Sequence, residues 1–189
     1  MDLGLMAGEQ TRVLSLTRFA ASWLPNSKSS IASPRIDRAA RPHYAECMAF
    51  PIRSPRDTVG GIMVFGRILD KIRLTAQGAL PVGYNIGVIP GKRTFDDRVC
   101  KFLGVGFDAL TARVLRGGTD EEILEWCFEN GRRPDAEQIE IWNGFMSKRG
   151  WRDAASGGLV QQREQAGLGH REDIVVFFDL MDVEEGRMP

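Results

Sequence analysis

The chain has few of the residues on which enzymes most often rely. Its 189 residues include only two histidines, His43 and His170, and three cysteines without a CxxC pair. Two histidines offer almost nothing for a histidine-rich metal site or a Ser-His-Asp triad. The odd number and wide spacing of Cys47, Cys100 and Cys127 indicate free thiols in a reducing compartment rather than a disulfide scaffold. These shortages argue against triad-type catalysis and predict a cytoplasmic location.

An excess of charge and long apolar runs are also missing. The 25 basic residues balance 25 acidic ones, so no overall field attracts nucleic acid or an anionic membrane. The closest approach to a membrane span, IVVFFDLM at 174–181, is far shorter than the roughly 18 residues that such a span needs. We therefore expect a soluble protein whose partners include neither nucleic acid nor a membrane, while homo-oligomer formation stays open.

Residues 1–50 are predicted to be a poorly structured N-terminal extension. The stretch up to residue 47 is rich in Arg, Ser and Ala, and it contains only four acids. Such a composition can indicate an organelle transit peptide, but it also fits an upstream extension created by a mis-assigned start codon. A chain that begins at Met48 should fold as stably as the full chain, because the preceding residues show no strong apolar face to bury.

The part that follows is expected to fold around one long helix at 54–78. Ser54 is a good N-cap, Asp57 can close a capping box, and Gly78 is a typical helix end. Apolar residues recur at helical spacing along this stretch, namely Val59, Ile62, Met63, Leu69, Ile72 and Ala76. The pattern places an apolar stripe along one side of the helix.

Three glycines inside this stretch, Gly60, Gly61 and Gly66, argue against a continuous helix. Each one costs roughly 1 kcal/mol relative to alanine in a helix interior. A second helix that crosses closely would explain them, and so would a ligand that approaches the backbone. The close crossing is the preferred interpretation.

The rest of the chain predicts a series of short helices. The Gly- and Pro-rich residues 79–93 are expected to form a loop with at most one short strand at 85–89. Capping residues and glycine stops place helices at 94–104, 108–116, 119–130 and 134–150. Residues 151–169 are expected to be a linker with one turn of helix, and 172–185 a helix, since no convincing strand could pair with it. The predicted fold is mainly α, a single compact domain at 51–189 with five or six helices.

Several short motifs together are similar to one bacterial family. RSPRDTVGG is followed by RILDKIR, then by WCFENG and IWN, with a weaker FDLMDVEEGR near the end. In this combination the chain resembles an uncharacterised bacterial family, domain of unknown function 5069, from Pro51 to about residue 149. The resemblance implies a soluble bacterial domain that begins near Pro51, and it implies no activity.

No cofactor or metal motif has the context that it needs. GVGFDA at 104–109 matches a Gly-x-Gly-x-x-Ala dinucleotide fingerprint, but the predicted element before it is a helix instead of a strand. GVIPGK at 87–92 is one residue short of a phosphate loop, and Arg93 follows where Ser or Thr should hold magnesium. The acids at 179–185 are more typical of a solvated face than of a cation site. We therefore expect neither a metal nor a cofactor.

One group of charged residues on the long predicted helix is a candidate site. It consists of Arg67, Asp70, Lys71 and Arg73. At helical spacing, Asp70 can meet an arginine three residues away on each side. This pattern is most often a surface ion-pair ladder. Alternatively, Asp70 holds one guanidinium group while the other cations bind an anion.

Two functions stay open on this sequence. The first is a non-enzymatic helical interaction or assembly module, which the missing catalytic residues favour. The second is a small-molecule binding protein or enzyme for an anionic ligand, in which the charged flank of Arg67, Asp70 and Arg73 combines with Trp142 and Asn143. Trp142 is either a core residue or part of a pocket wall. A deep pocket that joins Arg67, Asp70 and Asn143 would favour the second function.

Overall fold

The computed structural model describes residues 49–188, and these begin with a turn and a short hairpin where the sequence predicts a helix. Strands β1 (Thr58–Val59) and β2 (Ile62–Met63) pair in antiparallel fashion. Helix α1 follows at Phe65–Ala76. The prediction of one helix over 54–78 is therefore wrong before residue 65 and confirmed for α1.

The glycine pair explains why the chain reverses here. Gly60 and Gly61 have φ values of +55° and +80°, a left-handed backbone that glycine adopts without strain and that two-residue hairpin turns require. A side chain at Gly60 would also collide with Leu124. Glycine at position 60 is therefore favoured both by the turn and by the close contact with Leu124. The helix that contains Leu124 does cross closely here, as expected, but it packs against a hairpin and not against the predicted helix.

Ser54 does not begin a helix, although its predicted capping contacts are present. Its backbone N–H donates to Asp57 Oδ2 at 3.1 Å, and the Asp57 N–H donates to the Ser54 carbonyl at 3.2 Å. These bonds close a tight turn at 54–57. Ser and Asp favour such turns for the same reason that they favour N-caps, because their side chains bond nearby backbone groups.

Six further helices follow α1. They are α2 (Phe95–Leu103), α3 (Phe107–Leu115), α4 (Asp120–Asn130), α5 (Ala136–Ser147), α6 (Ser156–Gln165) and α7 (Phe177–Glu184). The described residues thus hold seven helices where five or six were predicted, and the mainly α class is confirmed. Thr94, Thr119 and Asp135 each accept the backbone N–H three residues on, which is the N-cap contact that the sequence predicts.

One local prediction needs correction. The expected linker at 151–169 contains α6, a helix of ten residues rather than one turn. Residues 79–93 form a loop, as expected, without the short strand that the sequence allowed at 85–89. The choice of helix over strand near the C-terminus is confirmed by α7.

The core is built around α1. Its buried residues include Phe65, Ile68, Leu69 and Ile72, and α1 contacts β1, α2 and α3. A second, smaller apolar cluster lies at α6 and α7, and it consists of Leu159, Ile174, Phe177 and Leu180. Phe95 of α2 packs against both clusters. Residues of both clusters line a groove.

Of the predicted N-terminal extension, only Ala49 and Phe50 belong to the described residues, so that prediction lies outside them. Among residues 49–188, there is no helix that is both long and apolar enough to cross a membrane.

Candidate functional site

A large groove is lined by α1, the loop at 81–85, the start of α2, α6 and α7. Its volume is about 1360 Å³. Small-molecule pockets usually measure roughly 300 to 1,000 Å³. The groove is therefore large enough for an elongated ligand of drug size or above.

The floor of the groove is apolar. Phe95, Phe177 and Leu180 line it and belong to or pack against the α6–α7 cluster, and Leu168 and Met181 extend the same surface. The rings of Phe95 and Phe177 meet edge to face with their centroids 6.1 Å apart. Such a floor favours the apolar part of a ligand, because apolar surface leaves water when the ligand binds.

One wall holds a buried ion pair between Arg67 and Glu185. Arg67 Nη1 donates to Glu185 Oε2 at 2.9 Å, Nη2 contacts Oε1, and the Tyr84 hydroxyl donates to Oε1 at 2.7 Å. Although burial opposes ionisation, the bonds from Arg67 lower the pKa of Glu185 below its usual value. The guanidinium of Arg67 already holds a carboxylate of the chain, so it is not free to hold the anion of a ligand.

A second buried pair joins Lys71 to Asp96. Lys71 Nζ donates to both carboxylate oxygens, at 2.5 and 2.6 Å, and to the Asn85 carbonyl at 3.1 Å. These three contacts use the whole donor capacity of the ammonium group. Burial lowers the pKa of Lys71 despite the charge of Asp96. The pair fastens the loop at residue 85 to α1 and α2, and its role is structural.

Asp70 and Arg73 lie on a different flank of α1, outside the groove. Arg53 Nε donates to Asp70 Oδ2 at 2.8 Å, and Arg53 also pairs with Asp120 at 2.7 Å. Arg73 pairs with Asp120 at 2.7 Å. Asp70 therefore does not organise the neighbouring arginines as the sequence suggests, because Arg53 and Asp120 supply the partners.

Trp142 and Asn143 hold the hairpin against α5. Trp142 Nε1 donates to the Met63 carbonyl at 3.2 Å, and its ring stacks on Phe102 at 4.4 Å. Asn143 accepts from Met63 N at 3.0 Å and donates to the Gly61 carbonyl at 2.7 Å. The six predicted site residues thus fall in three places, and only Arg67 and Lys71 line the groove.

Sequence reasoning missed a group of three arginines that line the groove, Arg93, Arg98 and Arg149, which we name the arginine cluster. Arg149 pairs with Asp153 at 2.5 Å. Within residues 49–188, Arg93 and Arg98 have no carboxylate at salt-bridge distance. Burial, together with repulsion from Arg149 and Arg93, lowers the pKa of Arg98. The sequence contains Lys-Arg pairs at 92–93 and 148–149, but no local pattern predicts that Arg93 and Arg149 line the same groove.

Three of the four acids near the C-terminus are ion-paired. Arg56 contacts both Asp179 and Asp182, and Arg187 contacts Asp182 and Glu185. In the described part of the chain, no group of three or more His, Cys, Asp or Glu residues is placed to hold a metal ion. The three paired carboxylates therefore work in the fold as partners of arginines, whereas Glu184 lines the groove and burial raises its pKa.

The segment that resembles a dinucleotide fingerprint is a helix-to-helix turn. Gly104 ends α2 with φ of +71°, and α3 begins at Phe107. A helix precedes the motif, as the sequence predicts, and not the strand that dinucleotide binding requires. The groove is elsewhere, since none of 104–109 lines it.

The two cysteines in the described residues are poor nucleophiles. Cys100 and Cys127 are free and buried, and burial raises the pKa of each thiol to about 12. Since the thiolate is the reactive form, both side chains behave as small apolar core residues.

The comparisons with known proteins extend the resemblance seen in the motifs. A family model described as "Domain of unknown function (DUF5069)" matches residues 49–187. No curated protein matches the chain. The matched range includes all the residues that line the groove.

Proposed function

Because the chain belongs to the DUF5069 family, whose description carries no activity, we propose a function from its groove: the domain binds a small amphipathic anion. The apolar part of this ligand lies on the floor formed by Phe95, Phe177 and Leu180. Its charged group lies at the arginine cluster. This is the anionic-ligand function of the two that the sequence left open, but the pocket expected to join Arg67, Asp70 and Asn143 is not formed, and the support comes from a different set of residues.

The proposal rests on one observation, that cations without carboxylate partners share a groove with an apolar floor. In residues 49–188, Arg93 and Arg98 are such cations. Ligand sites are mostly apolar, with a few polar groups that fix orientation. Arginine suits this purpose, because its planar fork holds a carboxylate or phosphate through two hydrogen bonds.

Two acids at or beside the groove are committed to ion pairs. Asp96 is held by Lys71, and Glu185 is held by Arg67. A carboxylate that is held in this way has few acceptor positions left for a ligand or a substrate proton. The groups that remain available in the groove are the arginine cluster, the carboxyl group of Glu184 and the glutamine side chains of α6.

We further propose that the protein acts in the bacterial cytoplasm, with neither nucleic acid nor a membrane as partner. The free thiols of Cys100 and Cys127 suit a reducing compartment. The balance of 25 basic and 25 acidic residues supports a small-molecule partner over a polyanion.

The test is a fluorescence titration with 8-anilinonaphthalene-1-sulfonate, which combines aromatic rings with one negative charge. We expect saturable binding at one site. Met181→Gln should weaken binding roughly fivefold to tenfold, because it puts a polar group on the floor of the groove. Ile141→Gln is the matched control, since Ile141 is 64% exposed on α5 and does not line the groove.

Ile141→Gln should leave the dissociation constant unchanged. If both substitutions weaken binding equally, or if binding does not saturate, the probe recognises general surface and the proposed function is wrong. Circular dichroism of both variants shows whether the fold is kept.

A further inference from the structure

Two members of the arginine cluster converge on one aromatic ring. The guanidinium carbons of Arg98 and Arg149 lie 5.4 and 5.5 Å from the centroid of the Phe145 ring. Arg98 comes from α2 and Arg149 from the residues after α5, so tertiary packing brings them together. Contact with the ring limits the rotation of both side chains, which lowers the entropy lost when they bind a common group.

The cluster carries more positive charge than its own carboxylate can neutralise. Asp153 pairs with Arg149 at 2.5 Å and also accepts backbone bonds from Gly150 and Ala155. In the described chain, Arg93 and Arg98 have no such partner. Burial and repulsion from Arg149 and Arg93 lower the pKa of Arg98, although the charges of Asp97 and Asp153 oppose this shift. Two guanidinium groups without an ion-pair partner match a dianion better than a carboxylate or sulfonate, which supply a single charge.

Neutral donors line the same groove. Gln161, Gln162 and Gln165 face it from α6. Within the described residues, their side chains take part in no hydrogen bond. They can therefore donate to the remaining oxygens of a tetrahedral anion or of the ester that carries it.

Resting on the proposed function, we propose that the arginine cluster is a phosphate subsite and that the ligand is a phosphate monoester with an apolar substituent. A phosphate monoester carries about −1.5 to −2 charges at pH 7 and presents three acceptor oxygens. Arg98 and Arg149 bind these oxygens, Arg93 adds charge at the rim, and the substituent lies on Phe95 and Leu180.

The experiment uses three ligands with the same apolar body: 1-naphthyl phosphate, naphthalene-1-sulfonate and 1-naphthol. Isothermal titration calorimetry of the full chain at about pH 7.5 should show the phosphate binding roughly tenfold tighter than the sulfonate, because both anions present three acceptor oxygens but only the phosphate carries a second negative charge. Arg98→Gln should weaken phosphate binding roughly tenfold and change naphthol binding less than about twofold.

Arg116→Gln is the matched control, because Arg116 is an exposed arginine at the end of α3 that does not line the groove. It should leave all three affinities unchanged. Arg93→Gln is the second test variant, since Arg93 is exposed and its loss leaves no buried group unpaired. If Arg98→Gln lowers the thermal midpoint, loss of stability and loss of a binding contact cannot be separated in that variant. The phosphate affinity of Arg93→Gln then decides whether the subsite exists.

The two proposals fail differently. Equal affinities for the phosphate and the sulfonate, or variants at Arg93 and Arg98 that behave like Arg116→Gln, overturn the phosphate subsite. Retained binding of naphthol and the fluorescent probe would in that case leave the proposed function standing. If no naphthalene ligand and no probe binds, both proposals are wrong.

Discussion

Asp70 illustrates how the choice of partner decides the role of a charged residue. Its carboxylate accepts three hydrogen bonds from Arg53: from the backbone N at 3.0 Å, from Nε at 2.8 Å and from Nη2 at 2.6 Å. The side chain is 15% exposed. Arg67, which the helical spacing places beside Asp70, pairs with Glu185 instead. Asp70 therefore ties the residues before the hairpin to α1.

We predict that Asp70→Asn lowers the free energy of unfolding by about 1.5 to 3 kcal/mol, because it weakens charge-assisted hydrogen bonds in a partly buried site. In urea unfolding, Asp70→Asn combined with Arg53→Met should cost less than the sum of the two single changes, by about 1 kcal/mol. Asp70→Asn combined with Arg67→Met should be additive within roughly 0.5 kcal/mol. Coupling to Arg67 and not to Arg53 would contradict the prediction.

Among the helices, α6 has the weakest local support. Its N-cap is Ala155, which makes no side-chain cap, and its first turn contains Gly157 and Gly158. Leu159 is its one buried residue among those described. The helix forms because Leu159 packs on Phe177 and Leu180 in the smaller cluster, and tertiary packing of this kind contributes most of the stability of short helices. One wall of the groove therefore depends on few contacts.

This weakness predicts that Gly157→Ala stabilises the protein by about 0.5 to 1 kcal/mol, since alanine loses less backbone entropy in a helix. An added Cβ at Gly157 meets nothing within 4 Å. Gly78→Ala is the matched control, because space around Gly78 is equally open but its φ is +65°. It should destabilise the protein by roughly 1 kcal/mol.

Thermal unfolding of both variants checks this prediction. For a chain of this size, 1 kcal/mol corresponds to a shift of roughly 2 to 4 °C in the midpoint. Shifts of the same sign in Gly157→Ala and Gly78→Ala would show that backbone conformation is not the deciding factor.

At the scale of the whole molecule, ion pairs join the C-terminal residues to the first described ones. Arg56 contacts Asp179 and Asp182, and Arg67 holds Glu185. Arg187 donates to the carbonyl of Ile52. These contacts span more than a hundred residues of sequence, and they close the fold around α1.

The Arg67–Glu185 pair predicts a loss of stability in acid. The pKa of Glu185 is lower in the folded chain than its ordinary value of 4.5, so the unfolded chain binds the proton more readily. The contribution of Glu185 is therefore fully present above about pH 5 and is lost as pH falls through the folded pKa. Urea unfolding at pH 7, 5, 4 and 3 should show a falling free energy of unfolding over the lower part of this range.

Glu185→Gln should lower the free energy of unfolding at pH 7 by about 3 kcal/mol, because it leaves the buried guanidinium of Arg67 without its counter-charge. It should also make the pH dependence shallower below pH 5. Glu140→Gln is the control, since Glu140 is exposed on α5. A variant at Glu185 with an unchanged acid profile would contradict the assignment.

The sequence by itself determined the helical class and the starts of three helices. The caps at Thr94, Thr119 and Asp135 join residues three apart, so the information needed to predict them is local. The Gly60–Gly61 turn is also a local signal, but the apolar residues around it recur at helical spacing. These two signals predict different structures, and the packing of β1 against α4 and of β2 against α5 decides between them.

Only the tertiary structure decided α6, the ion-pair partners and the groove. Each depends on contacts between residues that are far apart in sequence. Leu159 shares a cluster with Phe177, Asp70 pairs with Arg53, and Arg98 and Arg149 contact the same aromatic ring. A charged side chain can pair with any opposite charge that the fold brings within about 4 Å, and its sequence neighbours are only some of these. Spacing along one helix fixes which side chains share a face, whereas packing between helices fixes which of them meet.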